Sequence, residues 1–378
     1  MFEISKYIKI EGDKTIWGIV FSLLIFSILI VYSIEGISST LTHFRNIIIG
    51  ILVMYFTHKL KFKYFSKLSL VGVIVSIFLL IFVFIIGQEI NGAKRWIYLG
   101  SLSFQPSDFA KIILLIFLSR QISKYRDYLY DFKGVFWHIL LPTFFICILI
   151  LPSNLSTSIL VFINVFLLMI FGKIHVKFLL LIISISLGSS FFMYTAAKYI
   201  PAFSETIPRS KTWVNRIDGF LYSSNESVND KGHQLNEAKI AIKNGGFLGK
   251  GPGQSIQRHF LYASSSDFVF AIIVEQYGAI LGGIFPMFLY LLFFYRCVLI
   301  SQRTSSVFGS LMVASISFSI LMQALVNMMV NVGLMPVTGQ TLPLISKGGT
   351  SIIFTCFAIG VILSVSKNPK LENNYETS

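Results

Sequence analysis

Ile16–Ile34, IWGIVFSLLIFSILIVYSI, is an uncharged run of 19 residues, and its reading decides the fold. As a helix it would reach roughly 28 Å, about the thickness of a bilayer's hydrocarbon core. That length suits a spanning helix rather than a signal-peptide core, and no small-residue cleavage site follows it. Working outward, apolar runs recur as far as Val365, at 16–34, 44–57, 68–87, 106–119, 135–151, 155–172, 176–196, 267–295, 307–332 and 346–366. They are long and uniformly apolar with no period of two, which excludes a closed barrel. Of the 378 residues 54% are hydrophobic and only 13% are charged, and the mean hydropathy is +0.75. A soluble chain carries about 25% charged residues. The expectation is an all-α polytopic membrane protein of about ten transmembrane helices, a single integral domain over residues 1–378.

The net charge of +14 is distributed as topology demands, so nucleic acid is not expected as a partner. With the N-terminus inside, the cytoplasmic connections hold 17 Lys and Arg, and the short external ones hold four: Arg45, Lys94, Arg95 and Lys347. Residues 197–266 then form a large extracytoplasmic loop between helices 7 and 8, and 367–378 a short cytoplasmic tail. The loop carries Pro201, Pro208, a polar run Ser223–Gly232 and a short helix at His233–Lys243 ending at Gly245-Gly246. A connection of this length is expected to pack over the mouth of the bundle and to serve function. Cys147, Cys297 and Cys356 lie in or beside apolar segments and read as small hydrophobes.

Four clusters carry chemistry. In Phe104-Gln105-Pro106-Ser107-Asp108, Asp108 and Lys111 fall i, i+3 on a helix starting at Pro106. Such a pair entering the membrane is either a structural ion pair or the wall of a polar cavity. Gly245–Gly253, GGFLGKGPG, fails the phosphate-loop pattern, since Asn244 and Gly251 stand where glycine and Ser/Thr are required. Its backbone N–H groups could still meet a pyrophosphate. Ser264-Ser265-Ser266-Asp267 opens a long apolar helix, so Asp267 is either a plain N-cap or part of a site. Glu275, eight residues on, would share its helix face inside the membrane and favours the site. Asn331–Pro343, rich in Gly and Pro, reads as a tightly folded loop that brings Lys347 to the outer mouth.

Five stretches in order, GAKRWIYLG, FQPSDFAK, NGGFLGKGPG, SDFVFAIIVEQYG and GLMPVTGQTLPLISKGGTS, resemble the SEDS family of shape, elongation, division and sporulation proteins over essentially the whole chain. TWVNRIDGF, LPSNLSTSIL and VTGQTLPLIS are more similar to its division branch than to its elongation branch. The resemblance implies a ten-helix peptidoglycan glycosyltransferase in the bacterial cytoplasmic membrane, acting at the division septum. Such an enzyme polymerises lipid II into glycan strands at the outer face, with inversion and release of undecaprenyl pyrophosphate. It works with a class B penicillin-binding protein, a transpeptidase, among other divisome membrane proteins. It also implies that Asp267 is catalytic and that Lys111 and Asp108 belong to the polar cavity. Asp108 stands where the family commonly has glutamate, and Gln276 where a second glutamate is usual.

On this reading Asp267 is the base that takes the acceptor hydroxyl proton, or it holds a divalent cation, Mg²⁺ or Mn²⁺. Arg95, Lys111 and Lys347 supply countercharge to the pyrophosphate. Gln105 and Glu275 complete the expected substrate-binding set. Two other classes stay open: a lipid II flippase, and a non-enzymatic division scaffold.

Overall fold

Asp13 starts the bundle by accepting hydrogen bonds from the N–H groups of Thr15 and Ile16, at 2.9 and 3.2 Å, which caps α1 (Lys14–Glu35). In this computed structural model the described residues are 11–90, 93–99, 102–200, 203, 209–221, 230–262 and 264–367. Gly36, at φ 78°, turns the chain into α2 (Ile37–Lys59), and α3 (Phe62–Ile86) follows. Further along come α4 (Pro106–Lys124), α5 (Phe132–Ile150), α6 (Leu155–Phe171), α7 (Val176–Tyr199), α8 (Ser210–Leu221) and α9 (Asp230–Gly245). The last three are α10 (Val269–Arg303), α11 (Val307–Asn331) and α12 (Ser351–Ser366).

Every candidate span falls on one of these helices. Seven among the described residues are long and apolar enough to cross a membrane: α1, α2, α3, α5, α7, α10 and α11. The apolar helices α6 and α12 are shorter, and α4 carries Asp108, Lys111, Arg120 and Lys124. The span at 44–57 is longer than its hydropathy indicates, because His43 and Asn46 interrupt the apolar run yet are buried within the bundle. The helix expected at His233–Lys243 forms as α9. Pro201, Pro208, most of the run Ser223–Gly232 and the tail from 368 lie outside the described residues.

The all-α expectation needs one correction. Between α3 and α4 the chain forms a three-stranded antiparallel sheet, β1 (Gln88–Ile90), β2 (Ala93–Leu99) and β3 (Leu102–Phe104). Its register pairs Gln88 with Trp96 and Ile97 with Phe104. Alternation is visible afterwards, since Ile97 is buried and its neighbour Tyr98 exposed. The strands are too short to declare themselves in an apolar sequence. Lys94 ties the sheet to the bundle by donating from Nζ to the Phe84 carbonyl at the end of α3, 3.1 Å away.

α11 is the central helix, buried from Phe308 to Asn331 on most faces, whereas α7 buries only Leu179, Ile182 and Ala196. Helices meet through small residues, as lipid-embedded helices do. A Cβ on Gly360 of α12 would stand 2.9 Å from the Met54 carbonyl of α2, so that pair is in backbone contact.

α10 is interrupted. It runs as an α-helix over Val269–Gly278, loosens into a π turn at Ala279–Ile284 and resumes at Phe285–Arg303. Gly278, at φ 76°, makes the break, and the segment after α9 docks on it. Lys250 N–H donates to the Glu275 carbonyl and Gly251 N–H to the Gln276 carbonyl, both at 2.9 Å. Ala279 N–H returns a bond to the Gly246 carbonyl at 2.8 Å. Two backbones lie too close for side chains: a Cβ on Gly249 (φ +82°) would meet the Gln276 oxygen at 2.3 Å. Gly249→Ala is therefore expected to destabilise the protein by about 2–4 kcal/mol, from left-handed strain plus overpacking, read as a lowered Tm in detergent.

Candidate active site around Asp267

Three amide side chains four residues apart, Gln323, Asn327 and Asn331, line one face of α11. All three are buried, and such groups persist in an apolar bundle only when they are hydrogen-bonded. Asn327 Nδ2 donates to the Asp267 carbonyl at 2.8 Å and to the Gln340 carbonyl at 2.7 Å. Asn331 Nδ2 donates to the Asp267 carbonyl at 3.0 Å, and its Oδ1 accepts from Ala271 N–H at 3.1 Å. The main chain of Asp267 is thus held by α11 in a turn that precedes α10. The N-cap alternative for Asp267 is overturned: the cap position is Phe268, with no side-chain cap bond. Asp267 Oδ2 lies against Gly339, 3.5 Å from where a Cβ there would stand.

Arginines converge on this carboxylate. Arg95, on β2, donates from Nε to the Ser153 carbonyl at 2.6 Å. Arg209 donates from Nη1 to the Pro152 carbonyl at 3.2 Å and also to Ser153. Arg216 comes from α8, which is clipped to α7 by an Asp218–Lys198 ion pair at 3.0 Å and by Tyr194 Oη donating to Asp218 at 2.6 Å. Arg95 and Arg216 each feel the Asp267 carboxylate, and both feel Arg209. Burial first, then Arg209 and Arg216, pull Arg95 down to about 10, while the Asp267 carboxylate opposes the shift. Arg216 is also lowered, by burial and then by Arg209, again against Asp267, and burial alone lowers Arg209. At neutral pH all three remain charged. Arg216 Nε is buried without a hydrogen-bond partner among the described residues. Two guanidiniums within the field of the carboxylate, with a third beside them, make a site for a polyanion, and guanidiniums match phosphate oxygens in shape.

Lys111 and Asp108 come together as their spacing indicates, 3.5 Å apart. Lys111 Nζ also donates to Gln323 Oε1 at 2.5 Å, and Gln323 Nε2 donates to the Thr341 carbonyl at 2.9 Å. The pair therefore joins the base of the amide ladder. Gln105 sits at the start of α4 with its side chain turned to Ser107 Oγ at 2.9 Å, while its N–H donates to Thr350 Oγ1.

Two expected site residues have other partners. Glu275, fully buried, accepts from Lys250 Nζ and Gln257 N–H, both at 3.3 Å, from Ile256 N–H at 3.4 Å and from Ser255 Oγ. It anchors the glycine-rich segment rather than facing the site beside Asp267. Asp267 and Glu275 would share a face only on an unbroken helix from 267, and Phe268 departs from helical geometry. Lys347 Nζ pairs with Glu35 and donates to Ser39 Oγ at 3.2 Å, while its backbone N–H donates to the Ser265 carbonyl at 2.8 Å. The N–H groups of Lys250 and Gly251 are spent on α10 carbonyls, so they are not a phosphate cradle. Among the described residues no three His, Cys, Asp or Glu side chains gather to hold a metal ion.

Arg209, Arg216 and the two asparagines were missed as site residues. Arg216 lies inside TWVNRIDGF, and the four-residue spacing of amides in an apolar helix was available as a signal.

A family profile described as "Cell cycle protein", covering FtsW, RodA and SpoVE, matches residues 13–371. A probable peptidoglycan glycosyltransferase FtsW of Taylorella equigenitalis (strain MCE9) is 31% identical over 327 residues, 84% of this chain and 85% of the relative. Its counterpart in Hydrogenovibrio crunogenus (strain DSM 25203 / XCL-2), of the same name, is 30% identical over 339 residues, 87% of this chain and 83% of the relative. Among solved structures, a chain of a peptidoglycan synthase complex that coordinates polymerization and crosslinking aligns with TM-score 0.80 at 22% identity, covering 96% of this chain and 100% of that one. The rod shape determining protein RodA of Thermus thermophilus aligns with TM-score 0.69 at 21% identity, over 96% of this chain and 98% of that one. These two likenesses establish the fold. With the profile running over nearly its whole length, the chain belongs to the FtsW, RodA and SpoVE family of cell cycle proteins.

Proposed function

We propose that this protein is an inverting peptidoglycan glycosyltransferase that polymerises lipid II at the outer face of the bacterial cytoplasmic membrane. The observation that carries the reading is a single carboxylate, Asp267, that acts on Arg95 and Arg216, with Arg209 beside those two guanidiniums. The names of the relatives, probable peptidoglycan glycosyltransferases, support the same class. In this reading ten helices span the membrane with both termini inside, and 197–266 lies outside over the site. Septal synthesis, a class B penicillin-binding protein as transpeptidase partner and other divisome membrane proteins complete the proposal.

The chemistry follows from charge. The guanidiniums hold the diphosphate of the donor and stabilise it as it leaves. Asp267 takes the proton of the acceptor 4-hydroxyl as that oxygen attacks the anomeric carbon from the opposite face. Cations beside a carboxylate keep it ionised and weaken it as a base. Bound diphosphate neutralises those cations, so Asp267 becomes the stronger base only when donor is in place. The alternative to that role is a divalent cation, Mg²⁺ or Mn²⁺, which the substrate would bring and Asp267 would hold. It would add countercharge to the leaving group.

The test is purified protein with its transpeptidase in liposomes supplied with labelled lipid II and Mg²⁺ or Mn²⁺. Glycan strands on a gel are the expected product. Labelled lipid crossing the bilayer with no polymer would replace the reading with transport, and neither activity would leave a scaffold.

A further inference from the structure

We infer that Asn331, aided by Asn327, is the positioning residue for Asp267: its carboxamide replaces one peptide hydrogen bond and holds the carboxylate off the end of its own helix. The inference rests on Asp267 being the reacting group.

In a continuing α-helix the Ala271 N–H would donate to the Asp267 carbonyl, four residues back. Here the Asn331 carboxamide stands between them. Its Oδ1 takes the Ala271 N–H at 3.1 Å and its Nδ2 donates to the Asp267 carbonyl at 3.0 Å. A side chain inserted in this way opens a helix by one step, and Phe268 accordingly has φ −106° and ψ 18°. Were Asp267 the N-cap, its carboxylate would be engaged by the first N–H groups of α10. The inserted amide satisfies both main-chain groups and leaves the carboxylate to face the arginines.

Asn331 is itself fixed. It is fully buried, and its Nδ2 also donates to the Asn327 carbonyl at 2.8 Å. Asn327 adds the second bond to the Asp267 carbonyl and, with the same nitrogen, holds the Gln340 carbonyl. Gln340 follows Gly339, the residue beside Asp267 Oδ2, and its own Nε2 donates to Thr157 Oγ1 at 2.8 Å. One turn of α11 thus sets both the main chain of the carboxylate and the loop segment beside it. Neither asparagine needs to touch substrate.

The test is steady-state polymerisation by the full protein with its transpeptidase, titrating lipid II. For Asn331→Ala the expected result is a fall in kcat of about 30–100-fold, with KM within about threefold of wild type, since about 1 Å of misplacement has that effect. Asn327→Ala leaves the Ala271 bridge in place and is expected to lose about tenfold in kcat, again at nearly constant KM. It carries the test alone if Asn331→Ala does not fold. Wild-type kcat in the folded variants, or kcat and KM worsening together, overturns the positioning role. Asp267→Asn runs in parallel: if it polymerises at the wild-type rate, the functional reading falls instead.

Discussion

Asp267→Asn is expected to lower glycan polymerisation by about 10³-fold in kcat/KM, the range a positioned general base contributes. The change keeps the shape of the side chain and removes its charge and its ability to take a proton. The fold is expected to survive, because Asn327 and Asn331 hold the main-chain carbonyl of residue 267 and not its side chain. A size-exclusion profile and Tm close to wild type, beside absent strands on a gel, would separate lost chemistry from lost structure. Lipid II should still bind, since the three guanidiniums remain.

Arg216→Gln is expected to reduce kcat/KM by about 10²-fold, the effect of removing one donor aimed at a developing negative charge. Its stability effect has the opposite sign. Burial and the neighbouring Arg209 lower the folded pKa of Arg216 below its unfolded value despite Asp267. A cation whose folded pKa is lowered is disfavoured by folding at any pH where it is charged, which includes neutral pH. Replacing it with a neutral amide should leave Tm unchanged or raise it slightly. Gain in stability with loss of activity is the mark of a group kept for its substrate. A lowered Tm with normal activity would mean that Arg216 serves the fold.

The membrane architecture was legible because seven helices are apolar runs long enough to stand out, and α2 was placed although His43 and Asn46 interrupt its apolar run. The sheet over Gln88–Phe104 was not, since its strands are three to seven residues long and end in residues without a clear pattern. The glycine-rich segment has the composition of an anion cradle but a different use. Its glycines allow two backbones to touch at α10, and no local pattern distinguishes that from an anion cradle. Glu275 does not follow its periodicity: residues eight apart share a face only while the helix is unbroken, and Asn331, 64 residues from Asp267 in sequence, breaks it there. Asp267, Lys111 and Arg95 could be named from motif and charge. Arg209 and Arg216 could not be assigned to them, because only folding of the long loop segment sets Arg209 on the same Ser153 carbonyl that Arg95 reaches and puts Arg216 in the field of Asp267.

The most direct measurement is a cryo-EM map of the protein with its transpeptidase and a non-reactive lipid II analogue. The diphosphate should lie within about 3 Å of the Arg95, Arg209 and Arg216 guanidiniums, with the acceptor hydroxyl in hydrogen-bond reach of Asp267, about 3 Å. A diphosphate bound elsewhere in the bundle, with Asp267 remote from either sugar, would contradict the assignment.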